Sequence, residues 1–148
     1  MTTITLKPRP SATMDQTVLI NIGQLAKAGG VNAKLIRYYE SIGVLPAAER
    51  TEAGYRLYDS RDIERLRFVR RARSLGFGMD EIRQLLSLWQ DQTRASAEVK
   101  HLALDHVQTL EAKIAEMQSM VDVLRNLSEH CHGDERPDCP ILHDLARQ

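Results

Sequence analysis

The stretch ASAEVKHLALDHVQTLEAKIAEMQSMVDVLRNLSE, residues 95–129, holds neither glycine nor proline. Its apolar residues Ala103, Val107, Leu110, Ile114, Met117, Val121 and Leu124 recur at alternating steps of four and three. That spacing keeps one narrow stripe on a single helix face, the pattern of a coiled-coil seam. Thirty-five helical residues span roughly 50 Å, so much of the stripe has nothing in its own chain to pack on. The six residues from Val107 to Leu124 contribute about 1.5–3 kcal/mol each when buried. A lone chain therefore leaves on the order of 10 kcal/mol unrealised, even after discounting for a compact unfolded state. The periodicity predicts a homodimer and says nothing of strand direction. The alternative, a long helix folded against the first domain, exposes more apolar surface than it hides.

Directly after this helix come the chain's two cysteines, Cys131 and Cys139, bracketing His132-Gly133-Asp134-Glu135-Arg136-Pro137-Asp138. A loop closed by Gly133 and Pro137 can fold back and bring both sulfurs to one ion. Thiolates prefer soft metals resembling Cu(I) or Zn over Mg or Ca. In 148 residues no apolar run approaches a membrane span, and residues 1–17 lack the apolar core of a secretory signal. The expectation is a soluble, cytoplasmic protein with no membrane partner. In that compartment two cysteines are more often free, metal-bound or redox-active than a structural disulfide. Residues 1–17, rich in Thr, Pro and Ser, read as a disordered extension, with Met14 an alternative start.

Upstream of the long helix the charge changes sign. The formal net charge of zero divides into +5 over residues 1–94 and −5 over residues 95–148. Arg65, Arg67, Arg70, Arg71 and Arg73 crowd one basic stretch, compatible with a phosphate-facing surface and equally with a solvated helix face. The β-prone run at 18–22 leads into a helix at 23–28 that Gly29-Gly30 stops. Asn32 then caps a second helix running to Ser41, with Leu35, Ile36 and Tyr39 at helical intervals until Gly43 and Pro46. Two short helices joined by a glycine turn make a helix-turn-helix candidate. After a turn segment at 47–53, Gly54-Tyr55-Arg56-Leu57-Tyr58 alternates as a strand does and reads as a wing. Asp59 or Ser60 caps a third helix to about Leu75, with Ile63, Leu66, Val69 and Ala72 as its core stripe. A fourth, 79–89, places Ile82, Leu85, Leu86 and Trp89 on one face, which reads as core. Four parts follow: an extension at 1–17, a winged helix-turn-helix candidate at 18–92, a candidate dimerisation helix at 93–130, and a candidate metal-binding loop with a short helix at 131–148.

Asn21-Ile22-Gly23, Ile36-Arg37-Tyr38-Tyr39-Glu40, Gly54-Tyr55-Arg56-Leu57-Tyr58 and Leu75-Gly76-Phe77 occur in that order and spacing. The ordered set resembles the MerR family over about residues 18–145. The pair Cys131 and Cys139 followed by Pro140-Ile141 is similar to the family's copper-export subgroup. The extension before Val18, with His132 and Pro137 in the loop, departs from that pattern.

The resemblance implies a mainly α fold: a winged helix-turn-helix, then a long dimerisation helix forming an antiparallel coiled coil, then a C-terminal metal-binding loop. It implies a dimer that binds a dyad-symmetric operator in double-stranded promoter DNA, engages RNA polymerase, and activates efflux or detoxification genes by distorting the promoter. By likeness, Arg37 and Tyr38 lie on the recognition helix, and Tyr55 and Arg56 on the wing. Lys34, Arg50 and Arg73 are further candidates for phosphate contact. Guanidinium groups bridge phosphate oxygens, and tyrosine offers a hydroxyl with little entropy to lose. Tyr39 and Tyr58 read as packing.

Relatives that sense divalent ions place a third cysteine where this chain has Ser96. Two thiolates suffice for a linear Cu(I), Ag(I) or Au(I) centre, one ion per two-cysteine loop, whereas Zn(II) normally seeks four ligands. The resulting −1 charge needs compensation, for which Lys100 of a partner chain and the start of a helix at Pro140 or Ile141 are candidates. Other readings stay open. Cys131, Cys139 and His143, completed by His130 or His132, make a Zn(II) site. Ser96 is then only a helix N-terminal hydroxyl. A Cys131 to Cys139 disulfide makes a thiol sensor. A copper buffer or chaperone is the rival outside transcription. No nucleophile with a nearby base, carboxylate pair or phosphate-cradling glycine loop speaks for an enzyme.

Overall fold

A computed structural model describes residues 18–147, so the expectations for residues 1–17 lie outside the described residues. Local sequence chemistry starts the first three helices. At α1 (Ile22–Gly29) the Asn21 side chain accepts from the Gln24 amide at 2.8 Å, while the Gln24 side chain accepts from the Asn21 amide at 2.9 Å. Gly30 ends α1 in the left-handed region at φ 68°. Gly29 is buried where a Cβ would stand 2.8 Å from Leu66 Cδ1, so any side chain there would push α1 off the third helix. Asn32 caps α2 (Ala33–Ser41) by accepting from the Leu35 amide at 2.8 Å.

The wing is an antiparallel pair, β1 (Glu49–Arg50) with β2 (Arg56–Leu57), in which Glu49 faces Leu57 and Arg50 faces Arg56. The turn between them closes through the Thr51 amide to Tyr55 O at 2.9 Å and the Gly54 amide to Thr51 O at 2.8 Å. The β-prone run before α1 supplies only a bridge from Ile20 to Tyr58. Helix α3 (Ser60–Ser74) starts at Asp59, whose carboxylate accepts from the amides of Arg61 and Asp62. Helix α4 (Met79–Gln90) follows the turn at Gly76. The shared core gathers Leu25, Ile36, Tyr39, Val44, Leu45, Tyr58, Leu66, Val69, Ala72, Ile82 and Leu86. Tyr39 and Tyr58 are thus packing residues, as the sequence suggests.

Trp89 corrects the reading of α4. It is 43% exposed while its neighbour Leu88 is buried. Helical periodicity marks which positions share a face but not where the surface they pack against stops, and here the domain core ends with Leu86.

The described residues divide into two compact units, 18–87 and 88–147. In the second, α5 (Ser96–Glu129) is an uninterrupted helix, and α6 (Pro140–Leu145) packs against it. Along α5 the seam residues Val107, Ile114, Met117, Val121 and Leu124 are exposed, Ile114 and Met117 by about two thirds. Among the described residues, no helix is long and apolar enough to cross a membrane.

Candidate metal centre and nucleic-acid interface

Cys131 and Cys139 are both free and half-buried, at the two ends of the loop that returns from α5 to α6. Gly133, at φ 63°, takes the left-handed turn that the return needs. Cys131 is tied to the end of α5 by its amide, which donates to Ser128 O at 3.2 Å. Cys139 is the N-cap of α6, with Pro140 at the first helical position, where a missing N–H costs nothing. The amide of Leu142 lowers the Cys139 thiol below its usual range and outweighs the opposing effect of burial. The Ile141 amide and a hydrogen bond with the Cys131 thiol add to the shift. No amide reaches full capping geometry on this sulfur. The structure therefore brings the two thiols together and favours the thiolate at one of them.

The histidines are placed differently. His130 Nδ1 lies 2.8 Å from Asn126 O on its own helix, and His143 is on α6. Among the described residues, no group of three or more His, Cys, Asp or Glu side chains is placed to hold a metal ion. Arg136 pairs with Asp134 inside the loop, Nε to Oδ2 at 2.7 Å, and stiffens the turn. Ser96 is the first residue of α5 but does not cap it, since the N-cap is Ala95 with no side-chain bond. Lys100 lies one turn further and is exposed. The 34 residues of α5 span roughly 50 Å, so one chain keeps Ser96 and Cys131 at opposite ends of a rod.

In the first unit, Lys34, Arg37 and Tyr38 are exposed on α2, and Arg50 and Tyr55 are exposed on the wing. Arg50 Nη1 donates to Gly54 O at 2.9 Å, bracing the wing turn. Arg37, Arg50 and Arg56 line one groove of about 250 Å³ between α2 and the wing, together with Glu40, Ser41, Ala47 and Ala48. Arg73 is exposed on α3, and its Nη1 donates to the Tyr39 hydroxyl at 3.0 Å. Arg56 is not free in the way a wing arginine read from sequence would be. Its Nε is 3.0 Å from Glu40 Oε2. Glu40 was legible only as the end of Arg37-Tyr38-Tyr39-Glu40, because its partner lies 16 residues away and nothing local announces it.

Two family profiles match the chain: a MerR HTH family regulatory protein over residues 20–89, and a MerR DNA-binding region over residues 63–127. The heavy metal-dependent transcription regulator 2 of Rhizobium meliloti is 54% identical over 127 residues, 86% of each chain. This chain belongs to the MerR family. Among other MerR proteins, CueR of Salmonella typhimurium is 41% identical, covering 86% of this chain and 92% of its own. The crystal structure of PbrR691 from Ralstonia metallidurans in complex with lead(II) matches with a TM-score of 0.76 at 35% identity, over 86% of this chain and 99% of that one. As a MerR protein the chain is a DNA-binding transcription regulator and not an enzyme.

Proposed function

We propose that the chain is a metal-responsive transcriptional activator whose Cys131 and Cys139 take one monovalent coinage ion, Cu(I), with Ag(I) or Au(I) accepted, per loop. The observation that carries this reading is the pairing of two free thiols across one turn, with the first-turn amides of α6 favouring the Cys139 thiolate. Two thiolates satisfy a soft, two-coordinate ion, and the donor set fits it better than the four ligands that zinc seeks. Relatives named as heavy metal-dependent regulators and as CueR support the metal response.

The exposed seam of α5 makes the working unit a homodimer, with two α5 helices laid antiparallel. That arrangement carries Ser96 and Lys100 of one copy toward the loop of the other, a meeting that the roughly 50 Å rod forbids within one chain. Ser96 then withholds a third sulfur, and Lys100 offsets the negative charge. Lys34, Arg37 and Tyr38 on α2, with Arg50, Tyr55 and Arg56 on the wing and Arg73 on α3, bind promoter DNA in the cytoplasm. The loop controls transcription by favouring one DNA-bound pose over another. Promoter deformation of about 1–6 kcal/mol is what RNA polymerase responds to at efflux or detoxification genes.

The test is transcription in vitro from the chain's own promoter with Cu(I), Ag(I), Au(I) and Zn(II), beside X-ray absorption of the loaded protein. Two sulfur neighbours per Cu(I) are expected. Cys131→Ser or Cys139→Ser should abolish induction and leave operator affinity in place, and Ser96→Cys should widen the response to divalent ions. A four-coordinate centre in the active protein defeats the reading.

A further inference from the structure

Glu40 is a carboxylate in a groove that otherwise presents Arg37, Arg50 and Arg56. Charge alone would make it a liability on a surface that meets phosphate. Its side chain is only 12% exposed, and its Oε2 accepts from Arg56 Nε at 3.0 Å. Its Oε1 is buried, as is the Tyr58 hydroxyl, and neither meets full hydrogen-bond geometry. Burial first, and then the Glu40 carboxylate, hold the Tyr58 phenol above its usual range. Glu40 thus touches both Arg56 and its near neighbour Tyr58 from the end of α2, and ties the helix to the wing. The bond occupies Nε alone, and among the described residues the guanidinium makes no other hydrogen bond.

We infer that Glu40 is a positioning residue for DNA binding: it fixes the Arg56 guanidinium by Nε, leaving its terminal nitrogens to take a backbone phosphate beside Arg37 and Arg50. A free arginine loses rotamer freedom when it is clamped to phosphate, and one already held by a carboxylate loses less. The inference rests on the reading of this face as the DNA-binding surface. Its particular consequence runs against electrostatics. Removing a negative charge from a phosphate-binding groove should tighten binding, whereas removing a positioning residue should weaken it.

The experiment measures operator affinity and its salt dependence, by gel shift, for the full chain and for Glu40→Ala, Arg56→Ala and the double variant. Glu40→Ala is expected to bind about three- to tenfold more weakly despite losing a negative charge, and to cause no loss once Arg56 is already Ala. A loss that persists in the Arg56→Ala background marks a merely structural role and overturns the inference. Tighter binding by Glu40→Ala while Arg56→Ala binds more weakly overturns it too, and leaves the DNA-binding face standing. An Arg56→Ala chain with unchanged affinity and salt slope removes the wing contact itself, and the inference with it. Thermal unfolding checks each variant. Where Glu40→Ala lowers the Tm, the isosteric Glu40→Gln, which keeps an acceptor for Arg56 Nε, replaces it in the cycle and should lose less affinity.

Discussion

The winged unit buries eleven apolar side chains in one cluster, whereas α5 buries only His106 along all of its 34 residues. The first unit is finished by its own sequence: caps at Asn21, Asn32 and Asp59 start its helices, and the core closes over them. The arm has an equally clear helical pattern but no surface of its own to spend it on. Periodicity therefore specifies an element, while burial reveals whether the chain itself completes it.

The largest effect should come from the seam. Replacing both Ile114 and Met117 with Asp puts two charges on the face proposed to pack against another copy, and self-association should weaken on the order of 1,000-fold. Sedimentation equilibrium would read this as a monomer, and a variant that stays dimeric would show that the copies meet elsewhere. Next is the winged core. Leu66→Ala removes a fully buried side chain packed against Gly29 and should cost about 2–5 kcal/mol in denaturant unfolding. The same truncation at exposed Leu124 should leave the unfolding of the winged unit unchanged, and an equal loss at both sites would erase the contrast.

A smaller effect is expected at Asp59. Burial opposes its ionisation, but the Arg61 guanidinium and the amides of Asp62 and Arg61 outweigh it and hold the carboxyl below its usual range. Arg61 is largely exposed, so the amides it caps matter more than the ion pair. Asp59→Ala should cost about 1 kcal/mol at neutral pH. Because the folded pKa is depressed, that stability is present above the unfolded value of about 3.9 and is lost as pH falls through the folded one. The two proteins should converge on acidification, and a gap that persists at low pH would assign the loss to something other than the ionised cap. The smallest effect concerns the loop. In a Cys131→Ser chain, alkylation of Cys139 should reach its midpoint at a lower pH when folded than in urea, and coincident midpoints would mean that the Leu142 and Ile141 amides do not act on the sulfur.

Much of the winged fold was legible because its signals are local. Asn32 announces α2 one residue ahead, Gly29-Gly30 ends α1, and Gly76 separates α3 from α4. What escaped is relational. Glu49 and Arg50 read as part of a turn, since a two-residue strand has no period and exists only because Leu57 and Arg56 lie opposite. Glu40 and Arg56 meet across 16 residues. Trp89 shares its helical face with buried residues but lies past the end of the core. In the loop, Cys131 and Cys139 were visible as a pair. The half-burial of both and the amides behind Cys139 needed α6 to form first.

On the antiparallel pairing proposed above, the placement of Ser96 and Cys131 at opposite ends of one rod has a genetic consequence. A copy with a ruined loop still lends an intact helix start to its mate, and a copy with a ruined start still offers a sound loop. Two defective alleles of these opposite kinds, expressed together, should rebuild one complete sensor in each mixed pair and recover part of the response that neither allele has alone.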